Sequence, residues 1–129
     1  MAGWEDVHRI ALALPDTGER LSRGLRQWWV RDRMFAWERP LRPKEVEELG
    51  EAAPDGPIVA ARVEHLGAKE ALLADDPEVY FTTSHFDGNA SILARLDRIS
   101  DQDLEELVTE AWLVRAPKRL VEGFLAREE

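Results

Sequence analysis

Apolar positions set the first element. Trp4, Val7, Ile10, Ala11 and Leu14 recur at helical spacing, so the spacing predicts an amphipathic helix from about Trp4 to Leu14. Pro15 ends it, and Asp16-Thr17-Gly18 reads as a loop. The period then changes. Leu25–Val30 and Met34–Trp37 are short apolar runs joined by a tight connection at Asp32-Arg33, which reads as a β-hairpin. With that connection Arg31 faces Met34, Val30 faces Phe35, Trp29 faces Ala36 and Trp28 faces Trp37. Directly opposed residues share a face of the sheet. Trp28, Val30, Phe35 and Trp37 are therefore expected on the core side, and Trp29, Arg31, Met34 and Ala36 on the other.

Prolines 40, 43, 54 and 57 bound the next stretch. Pro43–Gly50 reads as a short surface helix, with Pro in its first turn and Gly after its end. Only Val46 and Leu49 in it are apolar, so its glutamates are expected to be solvated. Ile58–Val63 is a third strand. Leu66–Ala74 is a short helix with Leu66, Leu72 and Leu73 as burial candidates. Val79–Thr83 and Ser91–Leu96 read as two further strands, and the polar loop between them carries His85. Ser100 is a helix N-cap with Asp103 three residues on, a variant of the capping box. Leu104, Leu107, Val108, Ala111 and Trp112 then form an apolar face at helical spacing. Ala116-Pro117 breaks that helix. A last one starts at Pro117, with Leu120, Val121, Phe124 and Leu125 directed inward.

A chain of 129 residues, 44% hydrophobic and 33% charged, fits one domain spanning 1–129. It has no cysteine, which removes disulfides, thiolate metal sites and thiol catalysis. No apolar run reaches the roughly 18 residues of a membrane span. Met1–Asp6 lacks the basic start and apolar stretch of a signal peptide, so a cytoplasmic protein without membrane association is expected. The net charge of −9 opposes non-specific nucleic-acid binding. The charge is segregated, however. Residues 20–44 hold eight cations and two anions, or +6, leaving 9 cations and 24 anions, or −15, on the other 104 residues. Local potential decides where a polyanion docks. The arginines of this stretch either solvate a hairpin or form a docking strip.

Four segments carry a family resemblance: Ile10–Pro15, Val30–Ala36, Pro77–Phe86 and Ala111–Leu120. In this order they make the chain similar to the MmcQ/YjbR family over nearly its whole length. The resemblance implies an α+β fold, a two-layer α/β sandwich with a five-stranded antiparallel sheet backed by helices. The expected order is helix, three strands, helix, two strands and two helices, similar to type III secretion chaperones. It also implies DNA binding, with hairpins acting as wings. The sequence departs from the family pattern at Asp32, where Gly is frequent, and at Asn89-Ala90-Ser91, where Tyr, Pro or Trp is usual.

For DNA binding the candidate residues are Arg23, Arg26, Arg31 and Arg33 in the hairpin region, with Lys118 and Arg119 at a helix N-terminus, where backbone N–H groups also favour phosphate. Trp29, on the arginine-bearing face, either packs under arginine stems or offers a stacking platform. His85 and Asp87 lie two apart in one loop, within reach of each other. As a pair they are a general base with its orienter; otherwise His85 satisfies loop backbone groups. No nucleophile elbow, phosphate loop or metal-ligand spacing accompanies them, so a non-enzyme without cofactor or metal is expected. His8 lies on the polar side of the first helix and reads as solvated. The competing function class is an acidic protein-binding or chaperone-like module whose partner is another protein.

Overall fold

Caps and prolines delimit most elements where the sequence places them. The computed structural model describes residues 2–128. Helix α1 spans Trp4–Leu12, two residues shorter than its apolar stripe, and Leu14 is buried in the turn beyond it. Gly3 N–H donates to Asp6 Oδ2 at 2.8 Å, closing the helix start. The other helices are α2 (Pro43–Leu49), α3 (Leu66–Asp75), α4 (Asp101–Arg115) and α5 (Lys118–Glu128). Pro43 opens α2 and Gly50 ends it with φ 57°. Ser100 Oγ accepts from Asp103 N–H at the start of α4, as its spacing predicts.

The sheet is antiparallel and has six strands, one more than expected: β1 (Thr17–Ser22), β2 (Leu25–Val30), β3 (Arg33–Glu38), β4 (Ile58–Arg62), β5 (Tyr80–Phe81) and β6 (Ser91–Arg95). Their spatial order is β1-β2-β3-β4-β6-β5. The added strand, β1, was expected to begin as the loop Asp16–Gly18. It pairs with β2 from Thr17↔Val30 to Ser22↔Leu25. Its one large apolar side chain, Leu21, is 71% exposed, so it has no buried face to imprint a period of two. Arg23 and Gly24 both have positive φ, 53° and 81°, as a two-residue turn between twisted strands requires. A polar edge strand of this kind also discourages pairing with another chain.

The β2–β3 register differs from the expected one in two ways. The turn residues are Arg31-Asp32 rather than Asp32-Arg33, and Arg31 carries the positive φ of 54°. Val30 therefore opposes Arg33, and Trp29 opposes Met34. The pairing then shifts between Trp28 and Trp29, so Trp28 opposes Ala36 and Gln27 opposes Trp37, leaving Phe35 as an extra residue in β3. Such a bulge turns every later side chain of its strand to the other face. Phe35 and Ala36 both enter the main core, and Trp37 joins a second apolar cluster. Trp28 consequently meets no Trp37. It stacks instead on Trp4, ring centres 6.0 Å apart.

The main core lies between one sheet face and α1 and α4. Val7, Ile10 and Ala11 of α1 and Leu104, Leu107, Val108, Ala111 and Trp112 of α4 pack on Trp28, Phe35, Val59, Ile92 and Leu96. Phe124 of α5 lies against Trp112, ring centres 5.1 Å apart. The smaller cluster occupies the opposite face: Ile58, Ala60, Phe81, Phe86 and Leu93, covered by Trp37, Leu41 and Leu49. Both faces of β4 and β6 are thus covered, and the four residues Ile58–Ala61 are all buried. Leu66 and Leu125, expected inside, are nearly half exposed. Lys69 takes the buried position in α3.

Two tryptophans sit in the main core with different polar accounts. Trp112 Nε1 donates to Pro15 O at 3.0 Å, whereas buried Trp28 Nε1 has no partner among the described residues. Trp112→Phe is therefore expected to cost about 1 kcal/mol more than Trp28→Phe, since only the first strands a carbonyl. Urea unfolding of the two variants measures the difference; equal losses would contradict it.

Candidate nucleic-acid interface

The three strands β1, β2 and β3 form a ribbon at one side of the sheet, and it carries most of the arginines of residues 20–44. Arg23 sits in the β1–β2 turn and Arg33 opens β3 beside the β2–β3 turn. These positions lie at opposite ends of β2, about 20 Å apart for six extended residues. Both side chains are exposed, and among the described residues neither has a hydrogen bond or ion pair. Arg26 and Arg31 differ. Arg26 Nη1 lies 3.4 Å from Glu38 Oε1, and its guanidinium is over the Trp4 ring on the helix-covered side. Arg31 Nε donates to Asp16 Oδ2 at 3.1 Å, and its backbone N–H donates to Asp16 O. Two of the four ribbon arginines singled out by sequence are thus joined to the protein's own carboxylates.

Arg20, outside that set, adds to the ribbon. Its guanidinium covers the Trp29 ring at 4.2 Å, and its Nη2 donates to Arg31 O at 3.4 Å. Trp29 Nε1 donates to Gln27 Oε1 at 3.1 Å. Trp29 is half-buried on the sheet face away from α1 and α4. It packs under an arginine, and that arginine remains a free cation. Pairing at a distance of two along β1 and β2 is the signal that joins Arg20 to Trp29, and it was hidden because β1 was not recognised as a strand. Lys118 and Arg119 stand exposed in the first turn of α5. Among the described residues neither bonds to the ribbon.

The His85 loop is organised by residues the sequence did not single out. His85 lies in a 3-10 turn over Ser84–Phe86, exposed and edge-on to Phe86, ring centres 4.9 Å apart. Ser84 Oγ donates to Glu48 Oε1 at 2.7 Å and Ser84 N–H to Glu48 Oε2 at 2.9 Å, so the serine hydroxyl is directed at a carboxylate rather than at His85. The loop backbone groups that His85 was expected to satisfy are in part bonded by Lys69. Its Nζ donates to Phe86 O at 2.7 Å and Asn89 O at 2.9 Å, and the residue is 5% exposed. Burial lowers the Lys69 pKa, and the nearby Asp87 charge opposes that shift. Asp87 thus acts on Lys69. His8 is exposed, but its Nδ1 lies 2.8 Å from Glu19 Oε1.

Glu45 is a further residue that the sequence reading placed wrongly. It was expected to be solvated with its neighbours on α2; it is 4% exposed. Arg39 Nη1 and Nη2 donate to its two oxygens at 2.9 Å each, Arg42 N–H donates to Oε1 at 2.9 Å, and Thr83 Oγ1 donates to Oε2 at 2.8 Å. Burial pushes the carboxyl up, but the donors from Arg39, Arg42 and Thr83 outweigh it and hold the pKa at about 2. Among the described residues no group of three or more His, Asp or Glu is placed to hold a metal ion, and no helix is long and apolar enough to cross a membrane.

Comparison with known proteins gives the same chain order a family. The YjbR family model matches residues 12–114. The chain belongs to the YjbR family. It is 52% identical over 129 residues to uncharacterized proteins of Mycobacterium tuberculosis (Rv2570) and Mycobacterium bovis (Mb2600), covering 98% of each chain. Among solved structures it is similar to the Deinococcus radiodurans protein DR2400, a DUF419 domain, with a TM-score of 0.67 at 17% identity over 92% of this chain and 82% of that one. That likeness shows the fold alone.

Two outcomes follow from the buried charges. Glu45 has a depressed folded-state pKa, so the unfolded chain binds more protons in the window between the usual value of 4.5 and about 2. Its contribution is present above that window and is lost as pH falls through it. Urea midpoints from pH 5 to pH 2 are expected to fall less steeply in Glu45→Gln; parallel slopes would refute the assignment. Lys69→Met strands the Phe86 and Asn89 carbonyls and is expected to cost about 2–4 kcal/mol. Faster amide hydrogen exchange over residues 84–91 would localise the loss, and unchanged exchange there would refute it.

Proposed function

We propose that this YjbR-family protein is a non-catalytic, cytoplasmic DNA-binding protein that meets the phosphate backbone through the β1–β2–β3 ribbon. One observation carries the reading. Arg20, Arg23 and Arg33 are cations on one ribbon without a carboxylate partner among the described residues. Arg26 and Arg31 are paired, so they contribute position rather than free charge. Contacts to phosphate fix orientation and carry no sequence information, so binding is weak and sequence-tolerant. The exposure of His85 and the direction of the Ser84 hydroxyl, toward Glu48 and away from the imidazole, support a non-enzyme, because no Ser–His pair is formed.

The test is the salt dependence of duplex DNA binding, read by fluorescence anisotropy. Three neutralised phosphates give a slope of about −2.7 in log K against log salt, or about a 40-fold loss between 50 and 200 mM. Arg23→Ser with Arg33→Ser is expected to reduce the slope by about two, and Arg31→Ser to leave it nearly unchanged. Absence of binding at 20 mM salt, or a slope indifferent to the double change, would overturn the proposal.

A further inference from the structure

A groove of about 430 Å³ runs between α3 and α4, on the helix-covered side of the sheet. Its floor is apolar: Ala68, Ala71 and Leu72 from α3 and Leu107 from α4. Its rim is anionic: Glu64, Asp75, Asp103, Glu106 and Glu110. Glu64 Oε2 stands 4.0 Å from His65 Nε2; among the described residues the other four carboxylates make no ion pair and no side-chain hydrogen bond. The cation that borders the groove, Arg62, directs its guanidinium elsewhere. It lies over the Trp37 ring at 4.9 Å and donates to Ser91 Oγ at 2.9 Å. The groove shares no residue with the ribbon.

Acidic rims are common, and this one has a second feature. Tyr80 lines the groove, is 6% exposed, and among the described residues has no hydrogen-bond partner for its hydroxyl. The ring is buried, while the hydroxyl oxygen is not among the fully enclosed unpartnered polar atoms and so opens on the groove. Burial, then the charges of Asp103, Asp76, Glu106 and Asp75, push its pKa up to about 12. The hydroxyl is therefore neutral across the physiological range and has lone pairs to offer an N–H donor.

We propose that the α3–α4 groove binds a linear aliphatic di- or triamine, its methylene stem on the Ala71–Leu72–Leu107 floor, its ammonium groups on the rim carboxylates and the Tyr80 hydroxyl. The charge is complementary, since four uncompensated carboxylates face one cleft. An apolar floor between separated carboxylates suits a cation with an aliphatic stem better than a hard metal ion, which requires several oxygens converging on one point. The volume is that of a small-molecule site, which commits the occupant to a free amine rather than a basic segment of another protein. The negative remainder of the molecule raises the local concentration of such a cation.

Titration calorimetry with spermidine on the full chain, at constant ionic strength, tests it. One-to-one binding is expected. Glu106→Gln with Glu110→Gln should weaken it about tenfold or more, and Tyr80→Phe about three- to tenfold. The paired glutamates are exposed and repel each other at i,i+4, so the double variant keeps or raises its melting temperature and folding is not at issue. The control Glu105→Gln with Glu122→Gln, equal in charge but off the groove, should bind as the parent does. Weakening by the control equal to that by the groove variant would show diffuse charge attraction and overturn the proposal. So would displacement of spermidine by equimolar magnesium, or binding of oligolysine without binding of spermidine.

Discussion

The Glu45 carboxylate is the point at which the outer layer of the molecule is fastened. It joins Arg39, just beyond β3, to Thr83, just beyond β5, across the small apolar cluster of the second sheet face. The helix that supplies it is seven residues long, and its Val46 is exposed. Such a helix has little apolar surface with which to hold its place. A carboxylate accepting four donors supplies the geometry that packing does not. The pair costs desolvation, but once both ions are buried, removal of either leaves an uncompensated charge, at about 3–5 kcal/mol. The outer layer is therefore held by specific directional bonds, and the inner layer by area.

Lys69 repeats the arrangement from the other direction. It reaches from α3 to two carbonyls of the loop that Thr83 begins. Glu45 and Glu48 hold the start of that loop and Lys69 its end. The exposed His85 is carried on a turn whose neighbours are fixed, and among the described residues its side chain makes no hydrogen bond. The bulge at Phe35 completes the design. By turning Trp37 to the second face, it lets one strand feed both clusters, and the Trp37 ring then supports Arg62.

What was legible in the sequence follows from how each feature is encoded. The stripes of α1 and α4 are one-sided burial written at helical period, and Ser100, Pro43 and Gly50 are local capping chemistry; all were readable. β4 was readable as a continuous apolar run, since both its faces are covered. β1 was not, because an edge strand with neither face buried leaves no period, and only the Arg23-Gly24 turn hinted at it. The β2–β3 turn was misplaced by one residue because Arg31, not Asp32, accepts the positive φ, which shifts the pairing by two residues, and the bulge then brings it back by one. Glu45 was read as solvated, and Lys69 was not named among the buried positions of its helix. Their burial depends on partners 38 and 17 residues away, Thr83 and Phe86, which no local pattern announces. Pairing of Arg26 and Arg31 is a tertiary fact of the same kind.

The two charged regions raise a question of mutual interference, and distance answers it. Arg23 and Arg33 lie on the ribbon at one side of the sheet, and Tyr80 of the acidic groove lies on β5 at the other. Five strand spacings separate β1 from β5, about 24 Å, and three separate β3, which Arg33 opens, from β5, about 14 Å. The Debye length is about 8 Å at physiological ionic strength, so each region presents its own sign to solvent there. At about 10 mM salt the length reaches about 30 Å, and the −15 of the remaining chain reaches the ribbon. Two salt effects then oppose each other: dilution strengthens the guanidinium–phosphate contacts and also lets the acidic body repel the same polyanion. A ribbon cation count read from the lowest salt concentrations would therefore come out too small. The free cations are counted correctly only where the screening length is shorter than the sheet is wide.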